Sequence, residues 1–443
     1  MLTIFGDSLV GLRLLPAAAA AATVIVTGRV ARRLGGGLFA QGLAMLALAL
    51  APFYLAIGNL LTMNAFEPLL WMSAAYLFMK AESDDRPLRW LALGLVVGLG
   101  FLNKYSMFFY MGSACLAMVF TSHRRTFARP GPWFAVVIAV LLAAPNLIWQ
   151  SAHGWPQLEV LRNAAIDKNV TVNPLTFYLQ QLLMMNPLTA PLWIAGLWSL
   201  LFSPRGARLR WFGLTYVILS LVYLALQAKV YYLAPIYPVL IAAGSVVIER
   251  VLQPRRWLAF AYGGLLLAGG LAIAPEAFPL LPLPTFIAYQ HIFDVRGIKM
   301  EKHPQGIVPQ QFADELGWDT LVGTMKAAYE KLPSQQRTQA VFLTYNYGQA
   351  SALDFFGPKL GLPRALSGHN NYFLYGTHGA SGNVVLAIGL DPKFLQTEWK
   401  SVVAVATYHN DYVLPDENDL PIYLCTQPTG DFNGWWPRMK RYI

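Results

Sequence analysis

Long apolar runs alternate with short polar connections over roughly the first 275 residues of the chain. Ten of these runs approach the length, about 17–25 residues with some tilt, that a helix needs to cross a bilayer. They lie at 9–28, 38–57, 60–79, 88–103, 106–121, 132–148, 187–203, 211–228, 231–249 and 257–274. The pattern predicts a polytopic α-helical membrane domain of about ten helices.

Two parts of the chain break this pattern. The connection 149–186 is long, mixed and aromatic, which predicts an ordered loop with amphipathic pieces on the membrane surface. From residue 276 the apolar runs shorten, and four of them have the length of buried strands. These four lie at 339–346, 383–390, 401–408 and 421–426. Helical patterns lie between some of them, so we expect a C-terminal α/β domain with a partly parallel sheet covered by helices.

The sequence therefore predicts two domains. Residues 1–275 would form the membrane domain, including the outer loop 149–186, and residues 276–443 the α/β domain. The composition agrees, because 56% of the 443 residues are hydrophobic and only 13% are charged. A soluble protein carries about 25% charged residues.

The basic residues orient the chain. Fifteen of them fall in five alternate connections: Arg29, Arg32, Arg33, Lys80, Arg86, Arg89, Arg124, Arg125, Arg129, Arg205, Arg208, Arg210, Arg250, Arg255 and Arg256. By the positive-inside rule these connections are cytoplasmic. The net charge of +10 therefore reflects topology, and no nucleic-acid partner is predicted. We expect a multi-pass protein of the cell (inner) membrane, with loop 149–186 and the C-terminal domain in the periplasm or outside the cell.

Glu67, in the stretch "GNLLTMNAFEPLLWMSAAYLF", is the one acid inside an apolar run of the membrane part. A carboxylate at this depth usually faces a water-filled cavity or a cation. The alternative is a structural acid near a helix N-terminus, with Asn64 as the capping residue. Both interpretations remain open from the sequence.

Several other polar residues are expected on the same outer side. Lys104 lies in a short turn between two helices, Lys229 and Tyr231 precede another helix, and Arg13 lies near the end of the first. Cations at this depth suit a lipid phosphate, although lysines also extend to the interface for structural reasons.

His153 and Trp155, in "SAHGWPQ", are either part of a site rim or interfacial anchors. The sequence has no H-x-x-x-H or C-x-x-C spacing, so no metal ligand is predicted and a divalent cation has no supporting motif. It also has no P-loop and no nucleophile elbow.

Five stretches, in order, resemble glycosyltransferase family 39, which includes the dolichyl-phosphate-mannose protein mannosyltransferases. They are "FGDSLVGLRLLPAAAAAATVIVTGRVARRLGGG", "GLVVGLGFLNKYSMFF", "APNLIWQSAHGWP", "NPLTAPLWIAGLWSLLF" and "KVYYLAPIYPVLIAAGS". The resemblance implies a GT-C fold and transfer of a sugar from a polyprenyl-phosphate carrier to an acceptor on the outer leaflet. It also implies that Lys104, Lys229 and Tyr231, which match family motifs, bind the lipid phosphate.

The chain departs from the family in two ways. In the family, a helix and an acid-bearing outer loop precede the "FG-x-S" stretch, which begins here at Phe5. Where the family has a T-P-D motif, this chain has "TMN", with Asn64 in place of the acid. The outer loop before "FG-x-S" supplies the family's general base, so the chain as written could be inactive. Glu67 is the catalytic candidate in this chain. A transporter or flippase of lipid-linked sugar and a non-catalytic sugar–lipid binding protein remain alternatives. Neither the sugar nor the acceptor is predicted.

Overall fold

The structure, a computed structural model, describes residues 8–293 and 301–443. These residues divide into two compact units. One consists of residues 8–154 and 171–290, and the other of residues 155–170 with the described part of 291–443.

Residues 8–293 are mostly helical. In order, its helices are α1 (Leu9–Arg33), α2 (Leu38–Ala49), α3 (Pro52–Ile57), α4 (Met63–Asp84), α5 (Pro87–Asn103), α6 (Ser106–Val119), α7 (Pro130–Ala152), α8 (Pro156–Asn163), α9 (Pro174–Met184), α10 (Ala190–Phe202), α11 (Arg210–Ala225), α12 (Tyr237–Leu252), α13 (Arg256–Ile273) and α14 (Leu283–Phe293). A 3-10 segment, Val230–Ile236, precedes α12. Of these helices, α8 belongs to the second unit.

Each of the ten predicted apolar runs falls on helix. Among the described residues, four helical stretches are long and apolar enough to cross a membrane: Leu9–Arg33, Pro130–Ala152, Gly206–Ala225 and Val230–Glu276. Other apolar helices are shorter. The run 38–57, for example, is split into α2 and α3, because Ala51 is extended and Pro52 starts a new helix. The membrane domain is thus confirmed as a helical bundle, whereas the number of crossings stays a prediction.

Two glycines bring α10 and α12 into backbone contact. A Cβ on Gly244 would lie 1.7 Å from the Leu192 carbonyl oxygen, and one on Gly196 would lie 2.0 Å from the Leu240 carbonyl oxygen. Small residues permit this close approach of helices within a membrane. The contact holds α12 in place, together with the segment Val230–Ile236 that leads into it.

The second unit contains a five-stranded sheet. Its strands are β1 (Ala340–Thr344), β2 (Ala365–Ser367), β3 (Val384–Ile388), β4 (Trp399–Tyr408) and β5 (Leu420–Pro428). Its further helices are α15 (Gln310–Ala313), α16 (Trp318–Glu330), α17 (Ser334–Arg337), α18 (Tyr347–Phe356), α19 (Asn371–Tyr375), α20 (Pro392–Glu398) and α21 (Phe432–Trp435).

The strand order is β2-β1-β3-β5-β4, with β2, β1 and β3 parallel and β5 antiparallel to both of its neighbours. Side chains of α16 and α18 pack in one hydrophobic cluster with the sheet, and those of α20 and α21 in another. The predicted partly parallel sheet with helices is therefore confirmed. Strand β2 was not predicted, because three residues are too few to show a periodic pattern.

The predicted domain limits differ from the observed grouping. Loop 149–186 was assigned whole to the membrane domain, yet residues 155–170 group with the C-terminal unit. The contacts there are polar. Lys168 forms an ion pair with Glu301 (Nζ to Oε2, 3.3 Å), and Lys440 forms one with Glu159 (Nζ to Oε2, 2.6 Å). These pairs join residues far apart in sequence, which the local pattern cannot reveal.

Candidate functional site

Glu67 and Lys104 form a buried ion pair in the membrane unit. Glu67 lies one turn inside α4, and Lys104 is in the extended turn between α5 and α6. The Lys104 Nζ is 2.9 Å from the Glu67 Oε2, and the two side chains are 9% and 3% exposed, respectively. An ionised group in so dry a place needs a partner of opposite charge. Glu67 therefore faces a cation, one of the two environments expected for an intramembrane acid.

Asn64 and Ser106 complete the polar contacts of this pair. Lys104 donates to the Asn64 Oδ1 at 2.8 Å, and the Ser106 hydroxyl donates to the Glu67 Oε1. The N-cap of α4 is Thr62, whose side chain makes no capping bond, and the first turn contains no acid. The structural interpretation of Asn64 as a cap and Glu67 as a first-turn acid is therefore wrong.

Two aromatic rings lie against the ammonium group of Lys104 and form an aromatic wall of the site. Its Nζ lies 4.1 Å from the ring centroid of Tyr232 and 5.5 Å from that of Tyr231. Both tyrosines are on the segment Val230–Ile236, which a buried glutamine of α9, Gln181, holds by donating to the Val230 carbonyl. Rings at this distance stabilise a cation that has left water.

An apolar cavity of about 680 Å³ is lined in part by Phe101 and Met107, which lie on either side of the turn that carries Lys104. Most of its lining comes from α4 to α7, with Phe127 and Trp133 around the start of α7. Its lining includes no charged residue. A cavity of this kind suits a hydrocarbon chain.

The remaining sequence candidates lie on other segments of the fold. Lys229 immediately precedes the segment with Tyr231, and Arg13 lies in the second turn of α1. The phosphate-binding roles of Lys229 and Arg13 stay predictions. His153 ends α7, where its ring stacks on Trp149 with centroids 4.3 Å apart. Trp155 is in the other compact unit, so the site-rim role of these two residues also stays a prediction.

In the described part of the chain, no group of three or more His, Cys, Asp or Glu side chains could hold a metal ion. The ammonium group of Lys104 has three N–H donors. Two of them are directed to oxygen atoms, and the tyrosine rings lie against the ammonium.

This arrangement fixes the position of the Lys104 ammonium group. Both oxygens of Glu67 already accept hydrogen bonds, from Lys104 and Ser106. The geometry therefore favours a role for Glu67 in positioning Lys104. It favours less a role as the general base that takes a proton from an acceptor. The catalytic role of Glu67 stays a prediction.

Three comparisons with known proteins bear on this site. Residues 1–149 match the family model described as dolichyl-phosphate-mannose-protein mannosyltransferase. Among solved structures, ArnT from Cupriavidus metallidurans, crystallised with undecaprenyl phosphate, matches with a TM-score of 0.58 and 13% sequence identity. The match covers 96% of this chain and 85% of ArnT. The chain therefore shares the overall fold of this ArnT structure. No curated protein matches it in sequence.

The resemblance to the mannosyltransferase family is thus confirmed over the first third of the chain, and the fold over nearly all of it. The matched region contains both Glu67 and Lys104. Sequence reasoning missed Ser106 and gave Tyr232 no role. Ser106 could have been found from its position at a helix start, two residues after Lys104. Tyr232 could have been found as the second tyrosine of the pair that follows Lys229.

Proposed function

We propose that this protein is a membrane glycosyltransferase that moves a sugar from a polyprenyl-phosphate carrier to an acceptor at the outer face of the membrane. The observation that carries the proposal is the Lys104–Glu67 pair, buried in a helical bundle that also contains an apolar cavity. The cation suits a phosphate, and the cavity suits a prenyl chain. The likeness to a GT-C enzyme that binds undecaprenyl phosphate supports the same class of donor.

Lys104 is the residue proposed to bind the carrier phosphate. When the bond between the sugar and the phosphate breaks, the phosphate leaves as a monoester and gains negative charge. A fixed ammonium group in a dry site stabilises that charge more in the transition state than in the substrate. Glu67 and Asn64 hold the ammonium in place, so that little reorganisation is needed during the reaction.

The outer-face assignment rests on the distribution of basic residues. Five arginine- and lysine-containing connections lie on one predicted side, which places the turn with Lys104 on the other side. We propose that the C-terminal unit is on that outer side as well. A cysteine-accessibility or reporter-tag assay at Ile443 tests this, because a cytoplasmic C-terminus would reverse the whole orientation.

The activity can be tested with a radiolabelled polyprenyl-phosphate-linked sugar in membranes that contain the full chain and supply the acceptors. We expect label to leave the carrier with the wild type and roughly 100-fold more slowly with Lys104→Met, the loss seen when one charge-stabilising donor is removed. Lys80→Met is the matched control, because Lys80 is on the same helix as Glu67 and its ammonium group lies over the ring of Tyr76.

Three other outcomes would contradict the proposal. Equal transfer by the wild type and Lys104→Met would remove Lys104 from the reaction. Movement of intact lipid-linked sugar across the bilayer without transfer would identify a flippase, and binding with neither movement nor transfer would identify a carrier-binding protein.

A further inference from the structure

One tyrosine hydroxyl next to this site has no hydrogen-bond partner among the described residues. Tyr223, near the end of α11, is 2% exposed, and its Oη is buried and unsatisfied. Its ring packs against Phe109 and Tyr232, with centroids 6.0 Å and 6.1 Å away. Tyr232 is the residue whose ring covers the Lys104 ammonium. Tyr223 thus lies directly behind the aromatic wall of the site.

Several other tyrosines of this unit have partners for their hydroxyl groups. Tyr54 donates to the Ala234 carbonyl at 2.7 Å, Tyr178 donates to Ser220 at 3.2 Å, and Tyr216 and Tyr237 pair with each other at 3.2 Å. A buried hydroxyl without a partner is costly, and an unsatisfied one in a folded protein needs an explanation. A ligand that supplies an acceptor is one explanation.

The surroundings of Tyr223 define which ligand atom that would be. The ring of Tyr223 contacts that of Tyr232, which in turn lies against the Lys104 ammonium group, so one residue separates Tyr223 from the Lys104–Glu67 pair. The positive charge of Lys104 is balanced by Glu67, and an entering phosphate needs further donors. A phenol donates a hydrogen bond to an anion without adding a charge that would have to be desolvated.

We propose that Tyr223 is a second phosphate-binding residue of this site, whose O–H group donates to a non-bridging oxygen of the carrier phosphate beside Lys104. The inference rests on the proposed function and adds a residue to it. The Tyr223 hydroxyl then has a hydrogen-bond partner only when the carrier phosphate is bound. It also assigns recognition to the phosphate shared by the donor and the sugar-free carrier, not to the sugar.

The test uses Tyr223→Phe in the full chain, reconstituted in nanodiscs, with undecaprenyl phosphate as the probe. We expect the Kd for this probe, and the KM for the lipid-linked sugar, to rise roughly 10- to 100-fold, as expected for a hydrogen bond to a charged group. The kcat should change much less. Tyr216→Phe is the matched control, since it removes a hydroxyl from the same helix that already has a partner in Tyr237.

Thermal unfolding separates a ligand contact from a structural role. Because the Tyr223 hydroxyl is unsatisfied without ligand, Tyr223→Phe should melt at or above the wild-type temperature, while undecaprenyl phosphate should raise its Tm less. A lower Tm together with an unchanged Kd would show a structural hydroxyl and overturn the inference. Weaker binding of the lipid-linked sugar alone would also overturn it, because the contact would then be to the sugar.

The result distinguishes this inference from the proposed function. If the wild type binds no undecaprenyl phosphate and transfers no sugar, the proposed function fails, and the inference with it. If the wild type and Tyr216→Phe both bind the probe and Tyr223→Phe binds it equally well, only the role of Tyr223 is overturned.

Discussion

Each of the two units contains a lysine paired with a glutamate, in opposite surroundings. In the membrane unit, the Lys104 and Glu67 side chains are 9% and 3% exposed. In the C-terminal unit, Lys168 is 29% exposed and Glu301 12%, and Glu301 also lies 3.6 Å from the His303 Nε2. The buried pair excludes water, and each of its charges depends on the other. The half-buried network is partly screened by solvent, and its charges are shared among several groups.

The contrast indicates where function is expected. A charge pair that is expensive to bury persists only when the fold holds it firmly, which makes the Lys104–Glu67 pair the better candidate for chemistry. The Lys168–Glu301 network joins residues 155–170 to the rest of the C-terminal unit. Its role in the structure is explained by that contact alone. Four predictions test this difference, in order of decreasing effect.

Breaking the buried pair should have the largest effect. Lys104→Met leaves Glu67 without a cation, and we expect a loss of about 3–5 kcal/mol in the free energy of unfolding. The double variant Lys104→Met/Glu67→Gln should recover most of this loss, because the uncompensated charge is gone. Denaturation in detergent measures both. Additive losses in the double variant would mean that the two side chains are not coupled.

The glycine contact that supports the segment beside Lys104 should be nearly as sensitive. Gly244→Ala places a methyl group against the Leu192 carbonyl, so we expect a loss of about 1–3 kcal/mol in stability. Gly264→Ala, on α13, is the control, because no atom lies within 4 Å of a Cβ added there. Equal melting temperatures for the two variants would contradict the close approach of α10 and α12.

The half-buried network should respond to pH. Hydrogen bonds to Glu301 and Asp416 raise the pKa of His303 to about 9, whereas a histidine in an unfolded chain titrates near about 6.5. The stabilisation is therefore complete below about pH 6.5 and is lost as the pH rises through 9. Allowing for solvent screening, we expect about 1–2 kcal/mol.

Hydrogen exchange at the amides of β1 and β3, compared between wild type and His303→Gln from pH 6 to 10, measures this change. The difference between the two proteins should be greatest at the acidic end. A difference that grows with rising pH would show that the sign is wrong.

The smallest effect is expected at a solvated pair on α16. Lys326 and Glu330 form an i,i+4 contact and are 33% and 53% exposed. Lys326→Met should change stability by only about 0.3–0.5 kcal/mol, the usual value for such pairs. A loss as large as that of Lys104→Met would remove the distinction between buried and exposed pairs on which the assignment depends.

Much of the fold is predictable because its signals are local. Apolar runs identify most helices of the membrane unit, though not α9 and α14. Short alternating or apolar runs identify β1, β3, β4 and β5. The place of residues 155–170 could not be predicted, because it depends on Lys168 meeting Glu301, more than a hundred positions later in the sequence.

The site was predictable as residues but not as geometry. The isolation of Glu67 in an apolar run and the position of Lys104 in a short turn both drew attention to them. That one pairs with the other follows only from the packing of α4 against the turn after α5. The unsatisfied hydroxyl of Tyr223 has no sequence signal at all, since tyrosines are common in this part of the chain.

The most direct test of the central claim is the affinity of the reconstituted full chain for undecaprenyl phosphate, with wild type, Lys104→Met and Lys80→Met measured side by side. If the buried lysine binds the carrier phosphate, Lys104→Met should bind at least about 10-fold more weakly, the loss expected for one charged hydrogen bond, and Lys80→Met should match the wild type. Equal affinity in all three proteins, each shown to be folded, would contradict the claim.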